Sequence, residues 1–250
     1  MKIRYLLFPF VFFVLVACGK TEQVTPSTTT STTSQTTTQQ TTTIVESSSN
    51  EQTQASTDSS QTVASTEDKA TYNGSYYSVQ GKYGEVIIVN KKHPLASDYA
   101  PGENAIAQAA FLKIIEDMQA QGFAISYNYS GYRSYETQSD LYQSYVNRDG
   151  QANADRYSAR PGYSEHQTGL AFDLMDTNGS LLTESSACQW LAQNAHLYGF
   201  IVRYLPEKES VTGYMAESWH IRYIGQEATD IYNSGLTLEE YYGVSGGDYQ

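Results

Sequence analysis

Hydrophobic and polar positions fall along this chain in three blocks. Leu6 to Val16 is almost wholly apolar, residues 21–70 are polar with no aromatic side chain, and from residue 72 the two kinds alternate with recognisable periods. In the third block Val86-Ile87-Ile88-Val89, within Glu85–Asn90, predicts a buried strand. Ala105–Gln121 places Ile106, Ala109, Ala110, Ile114 and Met118 at spacings of three and four, and Gly122 follows, which predicts an amphipathic helix. Phe123–Tyr129 alternates as a strand, and Tyr135–Asn147 reads as a second helix. Leu170–Leu174 and Phe200–Tyr204 read as short strands flanking a helix near Glu184–Leu197, and Trp219–Ile224 predicts another strand. Thr237-x-x-Glu240 is a capping box opening a short final helix. There is no internal repeat, and strands and helices do not alternate strictly. The pattern therefore predicts an α+β domain with a small antiparallel sheet flanked by helices.

Composition separates the blocks again. Residues 21–70 hold 34 Ser, Thr and Gln, whereas 21 of the 22 tyrosines lie at residue 72 or later. A tract so poor in apolar surface cannot offset its ordering entropy, so residues 18–71 are expected to form a disordered linker ahead of a domain at 72–250. Lys2 and Arg4 before the apolar run give the charge and length of a signal peptide over residues 1–17, too short to span a bilayer. The run ends in Leu15-Val16-Ala17-Cys18-Gly19, which resembles the lipid-attachment motif of bacterial lipoproteins. That resemblance implies acylation of Cys18 and a protein held on the outer face of the cytoplasmic membrane, facing the cell wall. Two or three acyl chains at about 0.8 kcal/mol per buried CH₂ anchor stably where one does not. The linker, treated as a flexible coil, spans about 40 Å r.m.s. at 5–6 Å × √n.

Charge and cysteine content narrow the chemistry. The balance is 15 Lys+Arg against 27 Asp+Glu, a formal net of −12, which argues against a broad nucleic-acid surface. Two cysteines are too few for a disulfide framework or a thiolate-rich metal site. Two stretches concentrate reactive side chains: Ser164-Glu165-His166-Gln167-Thr168-Gly169-Leu170-Ala171-Phe172-Asp173, and Glu217-Ser218-Trp219-His220. On a strand at 170–174, Ala171 and Asp173 share one face. His166 can fold back toward that face from the preceding loop, and His220 can complete a His₂Asp set from a neighbouring strand. Three protein ligands leave a fourth position for water, the arrangement of a catalytic rather than a structural zinc site. A base beside that water must not itself bind the metal, and Glu217 is the candidate. His93 before Pro94 and His196 near a helix end read as structural, and Cys188 as a buried hydrophobe.

Ser-x-His-x₂-Gly-x-Ala-x-Asp followed by Glu-x-Trp-His resembles the VanY-like zinc D-Ala-D-Ala carboxypeptidases of the LAS superfamily. Ser130-Gly131-Tyr132-Arg133-Ser134, Gln138 and Phe200-Ile201-Val202-Arg203-Tyr204 match that family in type and order, so the resemblance spans essentially all of 72–250. Arg160-Pro161-Gly162-Tyr163 and the Leu238-Glu239-Glu240-Tyr241-Tyr242 end look most like lipid-anchored L,D-carboxypeptidases of pneumococcal type. The resemblance implies a single zinc-peptidase domain with His166, Asp173 and His220 as Zn²⁺ ligands and Glu217 as catalytic base. It places Arg133 over the scissile carbonyl or the substrate carboxylate, and Ser164, Gln138 and Tyr204 along the peptide. Many relatives carry proline where Ser218 stands, a departure in local backbone but in no ligand or base position that the resemblance implies.

The implied activity is removal of the terminal D-alanine from peptidoglycan stem tetrapeptides. Two other readings share the pattern: a D,D-carboxypeptidase acting on pentapeptide stems, and a non-catalytic peptidoglycan-binding lipoprotein. The first shares every metal and base residue. The second predicts loss of at least one of His166, Asp173, Glu217 or His220, and all four are present. Oligomeric state has no signature in the chain.

Overall fold

A computed structural model describes residues 68–249. The signal peptide expected at 1–17, Cys18, and the linker up to residue 67 lie outside the described residues. The chain opens with β1 (Thr71–Tyr72), β2 (Tyr77–Gln80) and β3 (Glu85–Ile88), a three-stranded antiparallel sheet in that order. A second, four-stranded sheet carries the rest of the architecture. It is built from β4 (Ile125–Ser130), β5 (Ala171–Asp176), β6 (Phe200–Tyr204) and β7 (Glu217–Tyr223), in the order β4-β5-β7-β6 and antiparallel throughout. The expected α+β domain is therefore present, with two small antiparallel sheets rather than one.

Helix α1 (Ala105–Ala120) covers one face of the larger sheet. It starts where the Asn104 side chain accepts hydrogen bonds from the amides of Ile106 and Ala107, both 3.0 Å, and it stops before Gly122 at φ 90°. Ala107, Phe111, Ile114, Ile115 and Met118 form its buried stripe. That stripe meets Phe172 and Leu174 of β5, Phe200 of β6 and Ile221 of β7, with Leu191 from α4 (Ser185–Asn194) closing the cluster. Phe111 stacks on Phe172 with ring centroids 4.8 Å apart. A second cluster joins Val79, Val86 and Ile88 of the small sheet to Ile201, to Ile231 of α6 (Ala228–Ser234), and to Leu238 and Tyr242 of α7 (Leu238–Tyr242). The Thr237–Glu240 capping box is present at the start of α7.

The long elements follow the periodicity, with shifts at their ends. The helix expected at 135–147 runs Tyr135–Asp149, named α2, and the one expected at 184–197 ends at Asn194 before a 3₁₀ turn, Ala195–Tyr198. The strand expected at 219–224 begins two residues earlier, so Glu217 lies inside β7. β1, β2, α3 (Gln151–Tyr157), α5 (Glu209–Thr212) and α6 have no counterpart in the periodicity, because two to seven residues are too few to establish a period.

Candidate active site

Register sets the site. Asp173 in the centre of β5 stands directly opposite His220 of β7 and, on its other side, opposite Ser130 at the end of β4. Side chains that face each other across an antiparallel pair are close neighbours, so residues 47 positions apart in sequence meet. His166 comes from a 3₁₀ turn, Glu165–Thr168, that delivers the chain into β5. The turn ends at Gly169, φ 70°, where any Cβ would run into the Gly102 carbonyl oxygen, so only glycine lets the two segments pass so closely.

The three side chains converge. His220 Nδ1 lies 2.9 Å from Asp173 Oδ1, and His166 Nε2 lies 3.2 Å from Asp173 Oδ2. One donor atom from each of His166, Asp173 and His220 lies within 4.8 Å of the others, and all three residues are buried. Each imidazole is oriented by its other nitrogen. His166 Nδ1–H donates to the Gly131 carbonyl at 2.8 Å, and His220 Nε2 faces Glu165 Oε2 at 3.2 Å. Two nitrogens and one carboxylate oxygen, arranged facially with open cavity beyond, fit a catalytic zinc ion.

Glu217 reaches this centre through an irregularity in the sheet. Strict alternation would place it on the side of Ile221, in the apolar core. The β6–β7 register shifts between Val202 and Tyr204, so that Tyr204 pairs with Glu217. Bulges of this kind re-aim side chains beside active sites. Both residues consequently line the same cavity of about 290 Å³ as His166, Asp173 and His220. The Glu217 carboxylate stands 3.9 Å from His220 Nδ1, and the Tyr204 ring packs 5.0 Å from the His220 ring.

The surroundings divide the two carboxylates. Burial, reinforced by the negative charge of Asp173 and opposed by His220, pushes the Glu217 carboxyl up to about 7. Burial would also raise Asp173, but His166 and His220 prevail and hold it well below the usual carboxylate range. Burial pushes the His166 imidazole down, towards the neutral form that ligates metal. One acid is thus poised to exchange a proton near neutrality, while the other stays ionised.

Arg133 follows β4 and enters the same cavity. Its guanidinium donates to Gln138 Oε1 and to Ser130 Oγ, each at 2.8 Å, and its amide donates to the His166 carbonyl at 3.2 Å. Gln138, expected to hold the peptide, has both ends of its amide engaged by the protein: Oε1 by Arg133 and Nε2 by the Ala159 carbonyl at 2.6 Å. Its direct partner is therefore Arg133. Ser164 and Tyr204 are buried in the cavity wall.

His93 and His196 stand apart from the centre. His93 lies between Asn90 Oδ1 and Asp68 Oδ2, each 2.9 Å away, and His196 stacks on Tyr232 at 4.0 Å. Cys188 is half-buried rather than a plain core residue, and its thiol donates to Ser218 Oγ at 3.2 Å. The residue that motif reading passes over is Glu165. It is completely buried, and its Oε1 accepts from Arg203 Nε at 2.8 Å and Arg222 Nη1 at 3.0 Å. A cue was present: arginines in the middle of apolar strands need buried anions as partners.

Comparison with known proteins agrees with this geometry. The family model described as VanY, D-alanyl-D-alanine carboxypeptidase, matches residues 103–226, which include the whole centre. The putative carboxypeptidase YodJ of Bacillus subtilis (strain 168) is 35% identical over 189 residues, covering 66% of this chain and 69% of the relative. The crystal structure of the L,D-carboxypeptidase DacB from Streptococcus pneumoniae superposes with a TM-score of 0.72 at 62% identity, covering 74% of this chain and 100% of that one. A Zn(II) complex of a vancomycin-resistance D,D-pentapeptidase VanY variant gives a TM-score of 0.55 at 34% identity, covering 62% and 97%. On this sequence and structural agreement, the chain belongs to the VanY family of D-alanyl-D-alanine carboxypeptidases.

Proposed function

We propose that this protein is a zinc-dependent L,D-carboxypeptidase that removes the terminal D-alanine from peptidoglycan stem tetrapeptides. The observation that carries the reading is the facial His166–Asp173–His220 set with Glu217 beside it, in a fold 62% identical to an L,D-carboxypeptidase. His166 through Nε2, Asp173 through its carboxylate and His220 through Nδ1 are the atoms that would hold the ion. When bound, zinc supplies a Lewis acid that polarises the scissile carbonyl and makes water acidic enough to attack near neutral pH.

The protein's own groups do the rest. Glu217 takes a proton from the attacking water as its oxygen adds to the carbonyl carbon. Arg133, held from two sides by Gln138 and Ser130, presents fixed positive charge where the oxyanion or the substrate's terminal carboxylate lies. The C–N bond then breaks, and Glu217 returns the proton to the leaving amine, releasing D-alanine and a shortened stem. Ser164 and Tyr204 line the path of the peptide. Acylation of Cys18, with the residues up to 67 as a tether, would place this domain outside the cytoplasmic membrane, within reach of the wall.

Incubation of purified protein with defined tetrapeptide and pentapeptide stems, with and without chelator, tests the reading. Mass spectrometry should find alanine released from the tetrapeptide, and chelator should abolish the release. Release from the pentapeptide alone would establish the D,D alternative. No release from either, with zinc bound, would leave a wall-binding protein.

A further inference from the structure

Glu165 has no part in the proton transfers above, yet it lies at the junction of the site and a wholly buried charge cluster. Its two oxygens face different partners. Oε1 takes the two arginines of β6 and β7, Arg203 and Arg222, while Oε2 faces His220 Nε2 at 3.2 Å. Arg203 extends the cluster to both oxygens of Glu239 in α7, at 2.9 and 2.6 Å, and Arg222 donates to the Ile87 carbonyl of β3 at 2.8 Å. Two carboxylates balance two guanidiniums, so the cluster is neutral while His220 is neutral.

A neutral imidazole carries its proton on one nitrogen and its lone pair on the other. An ionised carboxylate only accepts hydrogen bonds. Asp173 Oδ1 lies as close to Nδ1, at 2.9 Å, so the metal-free ring can donate from both nitrogens. Once a metal engages the Asp173 carboxylate, Glu165 opposite Nε2 keeps the proton there and leaves the Nδ1 lone pair to the metal. His166 is set in the opposite sense, its Nδ1–H on the Gly131 carbonyl and its Nε2 turned to Asp173 Oδ2 at 3.2 Å. We infer that Glu165 is a positioning residue for the metal: it selects Nδ1 of His220 as the ligand and holds the ring in plane against a cluster anchored to α7 and the small sheet. The inference rests on the zinc reading of the triad.

Glu165→Gln tests it, because an amide cannot serve both partners. With its oxygen towards His220, its NH₂ meets two guanidiniums that only donate. With its oxygen towards the arginines, its NH₂ faces Nε2 and favours the proton on Nδ1, the ligand atom. Loss of such outer partners typically costs about 10- to 100-fold in metal affinity. Competition against a chelating dye should show the zinc dissociation constant of the full chain rising by that factor in Glu165→Gln. Glu239→Gln cuts the same cluster at its far end and should leave zinc affinity within about threefold, although it lowers the melting temperature. Equal zinc affinity in Glu165→Gln and wild type, or equal losses in both variants, would reduce Glu165 to a fold-stabilising ion pair and overturn the inference.

Nitrogen-15 NMR of the zinc-loaded wild type supplies a second readout that needs no variant to fold. It should show His220 protonated on Nε2 and ligating through Nδ1. Ligation through Nε2 overturns the inference, whereas a wild type that binds no zinc overturns the zinc reading beneath it as well.

Discussion

The two faces of the β4-β5-β7-β6 sheet come from alternate residues of the same strands, and they have opposite character. Phe172, Leu174, Phe200 and Ile221 point to α1 and form an apolar core. Asp173, His220, Arg222 and Arg203 point the other way and are buried as well. On the first face, burial is favourable in itself, at about 25 cal/mol per Å² of apolar surface. On the second, every charge must meet a counter-charge or hydrogen bond, because an unpaired buried ion is far more costly than any single packing contact. The first face tolerates volume-conserving exchange, whereas the second specifies partners atom by atom. The division implies that the faces can be damaged separately, one losing stability and the other losing chemistry.

The largest expected effect is on the polar face. Glu217→Gln should keep zinc stoichiometry and melting temperature while lowering kcat by about 10²- to 10⁴-fold, the usual contribution of a positioned acid–base group. A fully active variant would remove Glu217 as the base. The matching experiment on the apolar face is Phe172→Ala, which deletes a side chain with 0% exposure that stacks on Phe111 and meets Phe200 edge-on. It should cost about 3–5 kcal/mol in chemical denaturation, with zinc affinity nearly unchanged at temperatures where the variant remains folded. Coupled losses of stability and zinc binding in Phe172→Ala would mean that the sheet transmits strain between its faces, and the separation would fail.

The same contrast explains how much the sequence disclosed. Ala105–Gln121 and Phe200–Tyr204 are legible because a helix stripe and the apolar Phe200-Ile201-Val202 run follow from burial alone, and the structure places them within a residue of expectation. His166, Asp173, Glu217 and His220 are legible as a motif, and they do meet. The means by which Glu217 joins the others is not legible, since a register shift between Val202 and Tyr204 depends on two strands at once. The Glu165–Arg203–Glu239 chain is hidden for the same reason: its members come from three segments, and pairing across segments leaves no local period. Gln138 illustrates the limit from the other side, because a helix position conveys that it faces inward but not that Arg133 is what it meets.

A smaller effect is expected from Gln138→Ala, which sharpens the comparison at the cavity wall. Arg133 would keep Ser130 and lose one of the two hydrogen bonds that aim its guanidinium. Hydrogen bonds to charged groups contribute about 1.5–3 kcal/mol, and with one tether remaining kcat/KM should fall by about tenfold, with zinc affinity unchanged. A loss as large as that of Arg133→Ala would show that Gln138 carries the whole orientation, and no loss would return it to a packing role.

The smallest effect, about twofold at neutral pH, concerns the charge state of the polar face. Glu217 must be ionised to accept a proton, and its carboxyl is raised to about 7 by burial. The base form is therefore lost as pH falls, and kcat/KM should decline tenfold per unit below an acid limb. A divalent ion beside the carboxylate favours its charged form, so in the loaded enzyme the limb should lie at or below 7. Zinc must be kept saturating in this measurement, because protons compete for the ligand nitrogen of His220. Burial would lower that imidazole, but its hydrogen bonds to Asp173 and Glu165 prevail and raise it to about 10 in the metal-free site. Profiles from pH 5 to 8.5 on wild type and on the residual activity of Glu217→Gln separate the two titrations. Loss of the limb in the variant assigns it to Glu217, whereas an unchanged limb assigns it to the metal ligands and removes the raised carboxyl from the mechanism.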